Sequence, residues 1–528
     1  MMPFKFKSMI LVLVAFSFIF FGCSETTSKK QIKTELVYAS TKDIRNINPH
    51  LYSGEMAAQN MVFEPLILDT KDGIKPNLAQ RWEIIDGDKS YIFHLRKDIK
   101  FSDGSEFDAN VVKQNIDAVL ANRTRHAWLE LINEIQSTEV VDKFTFKLNL
   151  KNPYYPTLTE LAMTRPFRFL SPNCFENGST KDGVKCLVGT GAWVLSKYDK
   201  NAFALFERNE NYWGEKPKLK SVKWRVIPDH QTMLLALQKG EIDLIFGADG
   251  DMINLDAFKA VQNSDKLATL LSEPIASRAI LLNSKQPITM DIKVREALVY
   301  AVNKQDIVSG ILNGTEKVAD TLFAKTTPYA NIELVAKKFD PTKAAQILDE
   351  AGYKKGDDGY RYKDNVKLSL RLYFNINNAQ EKVISEYIQS NFKDIGIELK
   401  IYGEEKQAFL DRQKNGDFDL QYSLSWGIPY DPQSYISSWR TPTHGDYQAQ
   451  LGLEKKEWLD TKIKQILIEP DELKRTQMYK EIFTYIHESN IYIPLSYSRT
   501  KAVFVPNLKG VGFNISQYEI PFEKMHFE

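Results

Sequence analysis

Residues 366–401 read VKLSLRLYFNINNAQEKVISEYIQSNFKDIGIELKI, and three periodicities follow one another within them. Val366, Leu368, Leu370 and Leu372 alternate with polar residues, as side chains do on a strand with one buried face. Val383, Ile384, Tyr387, Ile388 and Ile395 then recur at helical spacing, and Gly396 stops the helix. Ile397, Leu399 and Ile401 alternate again. A strand, a helix and a strand in this order are most simply a βαβ crossover, which predicts an α/β fold for this half of the chain.

Working outward, Asp340-Pro341 opens a further helix with Ala344, Ile347, Leu348 and Ala351 on one side and Gly352 just past its end. In the first half, Tyr91-Ile-Phe-His-Leu95 and Phe144-Thr-Phe-Lys-Leu-Asn-Leu150 alternate as meander strands over one core face. The halves also echo each other. Gly240-Glu-Ile-Asp-Leu244 and Gly416-Asp-Phe-Asp-Leu420 each follow a helical pattern and lead into a short strand. Five residues are too few to separate duplication from chance, but they hint at two lobes of related plan.

At the N-terminus, Lys5 and Lys7 precede an apolar run from Met9 to Phe21, the length of a secretory signal. The run closes on Phe20-Phe-Gly-Cys23, which matches a bacterial lipobox, with residues 1–22 removed and Cys23 lipidated. Phe20 stands where that pattern prefers Leu, so an ordinary signal peptide or an uncleaved anchor is the alternative. Residues 23–33 are polar and read as a flexible tether. Removing residues 1–22 turns the net charge of +1 into about −1, a balance that argues against nucleic acid as a partner.

The remaining 500 or so residues suffice for about three domains. Besides Cys23 there are only Cys174 and Cys186, in one loop; in an oxidising compartment a disulfide is expected over two free thiols. No phosphate cradle or nucleophile elbow occurs, since Gly189-Thr-Gly191 runs on without a third glycine, and His487-Glu488 lacks a second histidine. An enzyme is therefore not expected. One irregular stretch does read as a pocket wall: Trp426-Gly-Ile-Pro-Tyr-Asp-Pro432, with His444 fourteen residues beyond Tyr430. Aromatic faces beside one imidazole suit a small, partly charged guest.

Several motifs together resemble the extracytoplasmic solute-binding proteins of the peptide and nickel ABC importers. They are Ala79-Gln-Arg-Trp82, Tyr91-Ile-Phe-His-Leu-Arg96, Lys100-Phe-Ser-Asp-Gly104, Gly189-Thr-Gly-Ala-Trp193, Arg208-Asn-Glu-Asn-Tyr-Trp213 and Val294-Arg-Glu-Ala-Leu298. Ala192 departs from the family's usual proline. Arg125-His-Ala-Trp-Leu-Glu-Leu131, Arg165-Pro-Phe-Arg-Phe169, Val318-Ala-Asp-Thr-Leu-Phe323 and the Trp426 motif are similar to the nickel-binding branch in particular.

The resemblance implies a large, class II, two-lobed periplasmic binding protein with a third small subdomain inserted in lobe I. Lobe I would span 34–275 with the insertion at about 80–185, lobe II 276–500, and 501–528 would return to lobe I. The two crossings are placed near Ala276–Asn283 and Leu495–Val503. The implied function is a monomeric lipoprotein, anchored to a membrane through Cys23, that serves an ABC importer with a permease in the inner membrane.

By the same resemblance, Arg125 and Arg165 are carboxylate anchors, suited by the planar guanidinium fork. Trp128, Trp426, Tyr430, Tyr52 and Met56 are pocket contacts, although the chain is one residue shorter between Tyr52 and Met56 than the family. His444 is the metal ligand; Arg168 and His50 are structural. Peptide carriers place an aspartate before the tyrosine of the Trp motif, and Pro429 stands there instead. The expected cargo is Ni(II) held by a small carboxylate-bearing chelator such as histidine, not a bare aquo ion, with no resident cofactor. A peptide receptor of the same family is the alternative, and an enzyme or sensory module on the same scaffold a third.

Overall fold

In the computed structural model, which describes residues 32–247 and 252–528, the strands Ser369–Asn375 and Glu398–Glu404 pair in parallel across the helix Ala379–Asp394. The helix starts where the Asn378 side chain accepts from the amides of Gln380 and Glu381, and Gly396 turns the chain at φ 83°. Leu370, Leu372, Ile384 and Ile388 are fully buried between them. The alternation beginning at Val366 crosses a boundary. Val366–Lys367 pairs with Arg361–Lys363 in a separate three-stranded sheet, and Val366 is 61% exposed. Alternation reports which face is apolar, not which neighbour the backbone bonds.

Two large sheets share one plan. In the first, Glu35–Ser40 lies parallel between Ser221–Val226 and Leu244–Gly247, beyond which come the antiparallel Lys501–Phe504 and then Ala268–Leu271. In the second, Ser369–Asn375 lies parallel between Glu398–Glu404 and Leu420–Leu424, beyond which come the antiparallel Ala276–Leu282 and then Tyr492–Ser498. The echo sits at equivalent places. Gly240 and Gly416 both have positive φ after a helix, at 73° and 68°. The Asp243 carboxylate accepts from the Val37 amide and that of Asp419 from the Arg371 amide, each at 2.8 Å, so each aspartate ties the central strand to its neighbour.

Leu36 and Tyr38 face one apolar cluster of the first sheet, Val37 and Ala39 the other, as the pleat requires. A four-stranded antiparallel sheet, Ala79–Ile85, Ser90–Leu95, Thr145–Leu150 and Ile135–Asp142, stands apart from both and contains the two meander segments. One apolar cluster runs from Phe93 and Phe146 of this insertion to Trp439, Ile463 and Tyr479 beyond the first crossing, so the lobes meet through an apolar contact.

The first crossing lies earlier than the sequence places it. Ala276–Leu282 is an interior strand of the second sheet, bonded on both sides; the chain passes between sheets at Ser272–Ile275. It returns at Arg499–Thr500, inside the expected Leu495–Val503. The two connections are cross-linked: Ser272 donates its amide to Thr500 O at 2.9 Å, and Ile275 donates to Ser498 O at 2.9 Å.

The proposed signal peptide, Cys23 and most of the tether lie outside the described residues. No helix among the described residues is long and apolar enough to cross a membrane. Cys174 and Cys186 are joined in a disulfide across a sequence separation of 12. Closing a loop of that length stabilises by about 3 kcal/mol. The double variant C174A/C186A is expected to unfold at a lower urea midpoint, corresponding to a loss of free energy of that order, with an unchanged far-ultraviolet spectrum.

Candidate functional site

Tyr52, Met56, Trp128, Arg165, Trp426, Tyr430, His444 and Tyr518 line one cavity of about 400 Å³. They come from three bodies: Tyr52, Met56 and Tyr518 from the first lobe, Trp128 and Arg165 from the inserted region, and the rest from the second lobe. Seven of the eight metal and ligand residues expected from sequence therefore converge.

Trp128 stands at the centre. Its ring centroid is 5.8 Å from Tyr52, 5.7 Å from Trp426 and 6.3 Å from Tyr430, the first two edge to face. The Tyr430 hydroxyl points at Met56 Sδ, 3.8 Å away, which places Met56 in the wall despite the shortened spacing. Burial pushes the Tyr430 phenol up to about 12 and that of Tyr52 higher still, so both remain neutral donors.

The Trp426 loop owes its path to Gly427, at φ 79°. A Cβ there would meet Gln517 Nε2 at 2.9 Å. The turn leaves Trp426 O free to accept from Gln517 Nε2 at 3.0 Å and from the Tyr518 hydroxyl at 3.2 Å, which fastens this second-lobe loop to the first lobe's returning segment. Sequence reading missed Tyr518. It lies in an irregular stretch without periodicity, and its only signal is an aromatic ring beside polar residues.

Arg165 is half-buried. Its Nη1 donates to Gly54 O at 2.9 Å and to Gln59 Oε1 at 3.4 Å, and it has no carboxylate partner among the described residues. Burial pulls its guanidinium below the usual range, so an arriving carboxylate would restore stabilisation that water no longer supplies. Arg125 does not line the cavity. It is exposed, with its Cζ 5.3 Å from the Tyr52 ring centroid, while Arg165 Cζ lies 5.2 Å from the same ring. Both guanidinium groups are thus ordered by one tyrosine, whose hydroxyl is bonded to His126 Nδ1 at 2.6 Å. His126, fully buried and overlooked in the sequence, positions Tyr52 from behind.

His444 precedes the short helix Gly445–Gln450 and packs against Trp426, with ring centroids 5.8 Å apart. Its ring nitrogens have no hydrogen-bond partner among the described residues. Burial lowers its pKa below 6.5, against a smaller opposing pull from Asp446, so the imidazole is neutral near pH 7 with a lone pair available. Protonation removes that lone pair. Capture of a metal through His444 is therefore expected to be fully present above the ordinary histidine range and to fade as pH drops through the depressed pKa, at a lower pH than for a solvated imidazole. An affinity already halved at pH 6.5, after correction for the chelator's own protonation, contradicts this placement.

Among the described residues no group of three His, Cys, Asp or Glu can hold a metal ion. The cavity offers one nitrogen donor, so other donors must arrive with the cation. Arg168 and His50 lie behind the site. Arg168 is buried and donates to Met163 O at 3.1 Å, and His50 bonds Thr180 Oγ1 at 2.8 Å and Arg168 O at 3.1 Å. A larger cavity of about 1000 Å³ adjoins the first crossing, lined by charges of both signs including Asp69, Glu519, Lys75 and Arg168. That mixture has no convergent recognition chemistry.

Residues 73–447 match the model of the bacterial extracellular solute-binding proteins, family 5 Middle. The chain is 40% identical over 512 residues to the nickel-binding periplasmic protein of Escherichia coli (strain K12), covering 96% of this chain and 97% of that one. It is 27% identical to the dipeptide-binding protein of the same organism, over 94% of each chain. A crystal structure of NikA from Brucella suis in complex with Fe(III)-EDTA superposes with a TM-score of 0.92 at 44% identity, covering 94% of this chain and 100% of that one.

Proposed function

We propose, from the premise that this chain belongs to the bacterial extracellular solute-binding proteins of family 5, that it captures nickel as a chelate with a small carboxylate-bearing molecule and delivers it to an ABC permease in the inner membrane. In this reading it acts as a monomer, tethered by a lipid on Cys23. One juxtaposition carries the proposal. A half-buried guanidinium without a carboxylate partner and a neutral imidazole with free nitrogens share one aromatic cavity.

The guanidinium fork takes an acid group of the chelator, and His444 takes an open coordination position on the metal. Aromatic walls exclude water and strengthen both contacts. Three bodies supply these residues, so a ligand gains its full set of contacts only when the lobes are closed. That differential affinity drives closure. A peptide's ammonium group would need a carboxylate, and none of the eight lining residues is acidic.

Trp128 and Trp426 make the site its own reporter. Tryptophan fluorescence is expected to respond to Ni(II) added with L-histidine, weakly or not at all to Ni(II) alone, and not to di- or tripeptides. A response to peptides with none to the chelated metal would reverse the assignment.

A further inference from the structure

We infer that Tyr155 is an affinity-determining residue outside the cavity, a clasp between the inserted region and the second lobe that sets how long a captured ligand is retained. Tyr155 follows the insertion strand Thr145–Leu150. The hydrogen-bond and ring partners that hold it lie in the second lobe. Its amide donates to Leu467 O at 3.2 Å and its hydroxyl is bonded to that of Tyr479 at 2.6 Å. Its ring meets Tyr329 edge to face at 6.2 Å, and Arg475 Cζ lies 4.5 Å from its centroid.

The receiving surface is built for this contact. Tyr329 stacks on Tyr479 at 4.6 Å and 11°, and its backbone is held at φ 62°, a left-handed conformation that a bulky residue adopts only when its surroundings impose it. Arg475 is anchored on Glu469 O at 2.8 Å and Pro470 O at 2.6 Å, which fixes the guanidinium over the ring. None of these four side chains lines the ligand cavity. The clasp therefore contributes to the closed state whatever the cargo.

A contact that bridges the inserted region and the second lobe slows their opening, so its loss shows mainly in the dissociation rate. The measurements are small-angle X-ray scattering of the ligand-free protein and stopped-flow dissociation of Ni(II) with L-histidine. Y155A is expected to enlarge the radius of gyration. It should also raise the dissociation rate by roughly tenfold while association changes by less than about threefold. Y155F and Y479F each remove one hydroxyl and keep the ring, and each should raise dissociation several-fold. Because they break the same bond, the double variant should be no worse than either single one.

Additive effects, or a folded Y155A with unchanged scattering and unchanged dissociation, would overturn the inference. Should Y155A fail to fold, the Y155F and Y479F cycle decides. Should the wild-type protein not bind Ni(II) with L-histidine, the proposed cargo fails and scattering alone decides the clasp.

Discussion

His444→Ala lowers the affinity for Ni(II) with L-histidine by roughly a hundredfold or more and leaves the melting temperature close to that of the wild-type protein. Removing a hydrogen-bond partner behind a metal ligand already costs 10- to 100-fold in metal affinity, and His444 is the donor itself. No second imidazole lines the cavity to take its place. The fold survives because the ring belongs to the wall and not to any of the four apolar clusters, and because it precedes a helix without capping it through its side chain. Isothermal titration with the chelate and with L-histidine alone separates the roles. The variant should lose the metal-dependent part of the affinity while weak recognition of the free amino acid persists. Equal binding of the chelate by variant and wild type would remove His444 from the site.

Arg165→Ala is expected to weaken chelate binding by about 30- to 5000-fold. Truncating one partner of a desolvated charge pair costs roughly 2–5 kcal/mol, because the other charge is left buried and unpaired. Arg165 hydrogen-bonds only to the neutral oxygens Gly54 O and Gln59 Oε1, and Glu55 acts on it from beyond ion-pair distance, so its removal should cost little stability. Arg165→Lys keeps the charge but loses the fork, and should recover only part of the affinity. Arg125 provides the contrast. It is exposed and reaches the site through the ring of Tyr52, so Arg125→Ala should cost only a few-fold. If Arg125→Ala proved the more damaging of the two, the anion would have to sit on the outer side of Tyr52.

Much of this was legible in the linear chain, and the failures have a common cause. The Val383–Ile395 stripe and Gly396 announced the crossover because a helix writes its buried face at fixed spacing and a glycine marks its end. The Gly-Xaa-Xaa-Asp-Leu echo was readable because the same short chain of backbone demands recurs in both sheets: a left-handed turn, then a carboxylate that accepts from the central strand. Val366 misled because its alternation continues across two sheets. The first crossing was put near Ala276–Asn283, which is mostly the strand Ala276–Leu282, because a fully buried strand and an apolar linker look alike until the partners on each side are known. Tyr518 and His126 escaped notice since neither carries a local pattern; each matters through a residue distant in sequence, Trp426 and Tyr52.

The amino-acid sequence alone determined the α/β class, the helix that joins its parallel strands, the pairing-ready cysteines and the residue types that a chelated cation would require. These follow from short-range physics: side-chain periodicity, capping and the intrinsic chemistry of guanidinium and imidazole groups. Only the tertiary structure decided that Arg165 hydrogen-bonds to neutral oxygens while Arg125 stays in water, that His444 is desolvated enough to be neutral, and that Tyr155 meets Tyr479 324 positions away. Burial and charge environment are properties of what packs around a residue, and three separate bodies must meet before any of these groups acquires its surroundings.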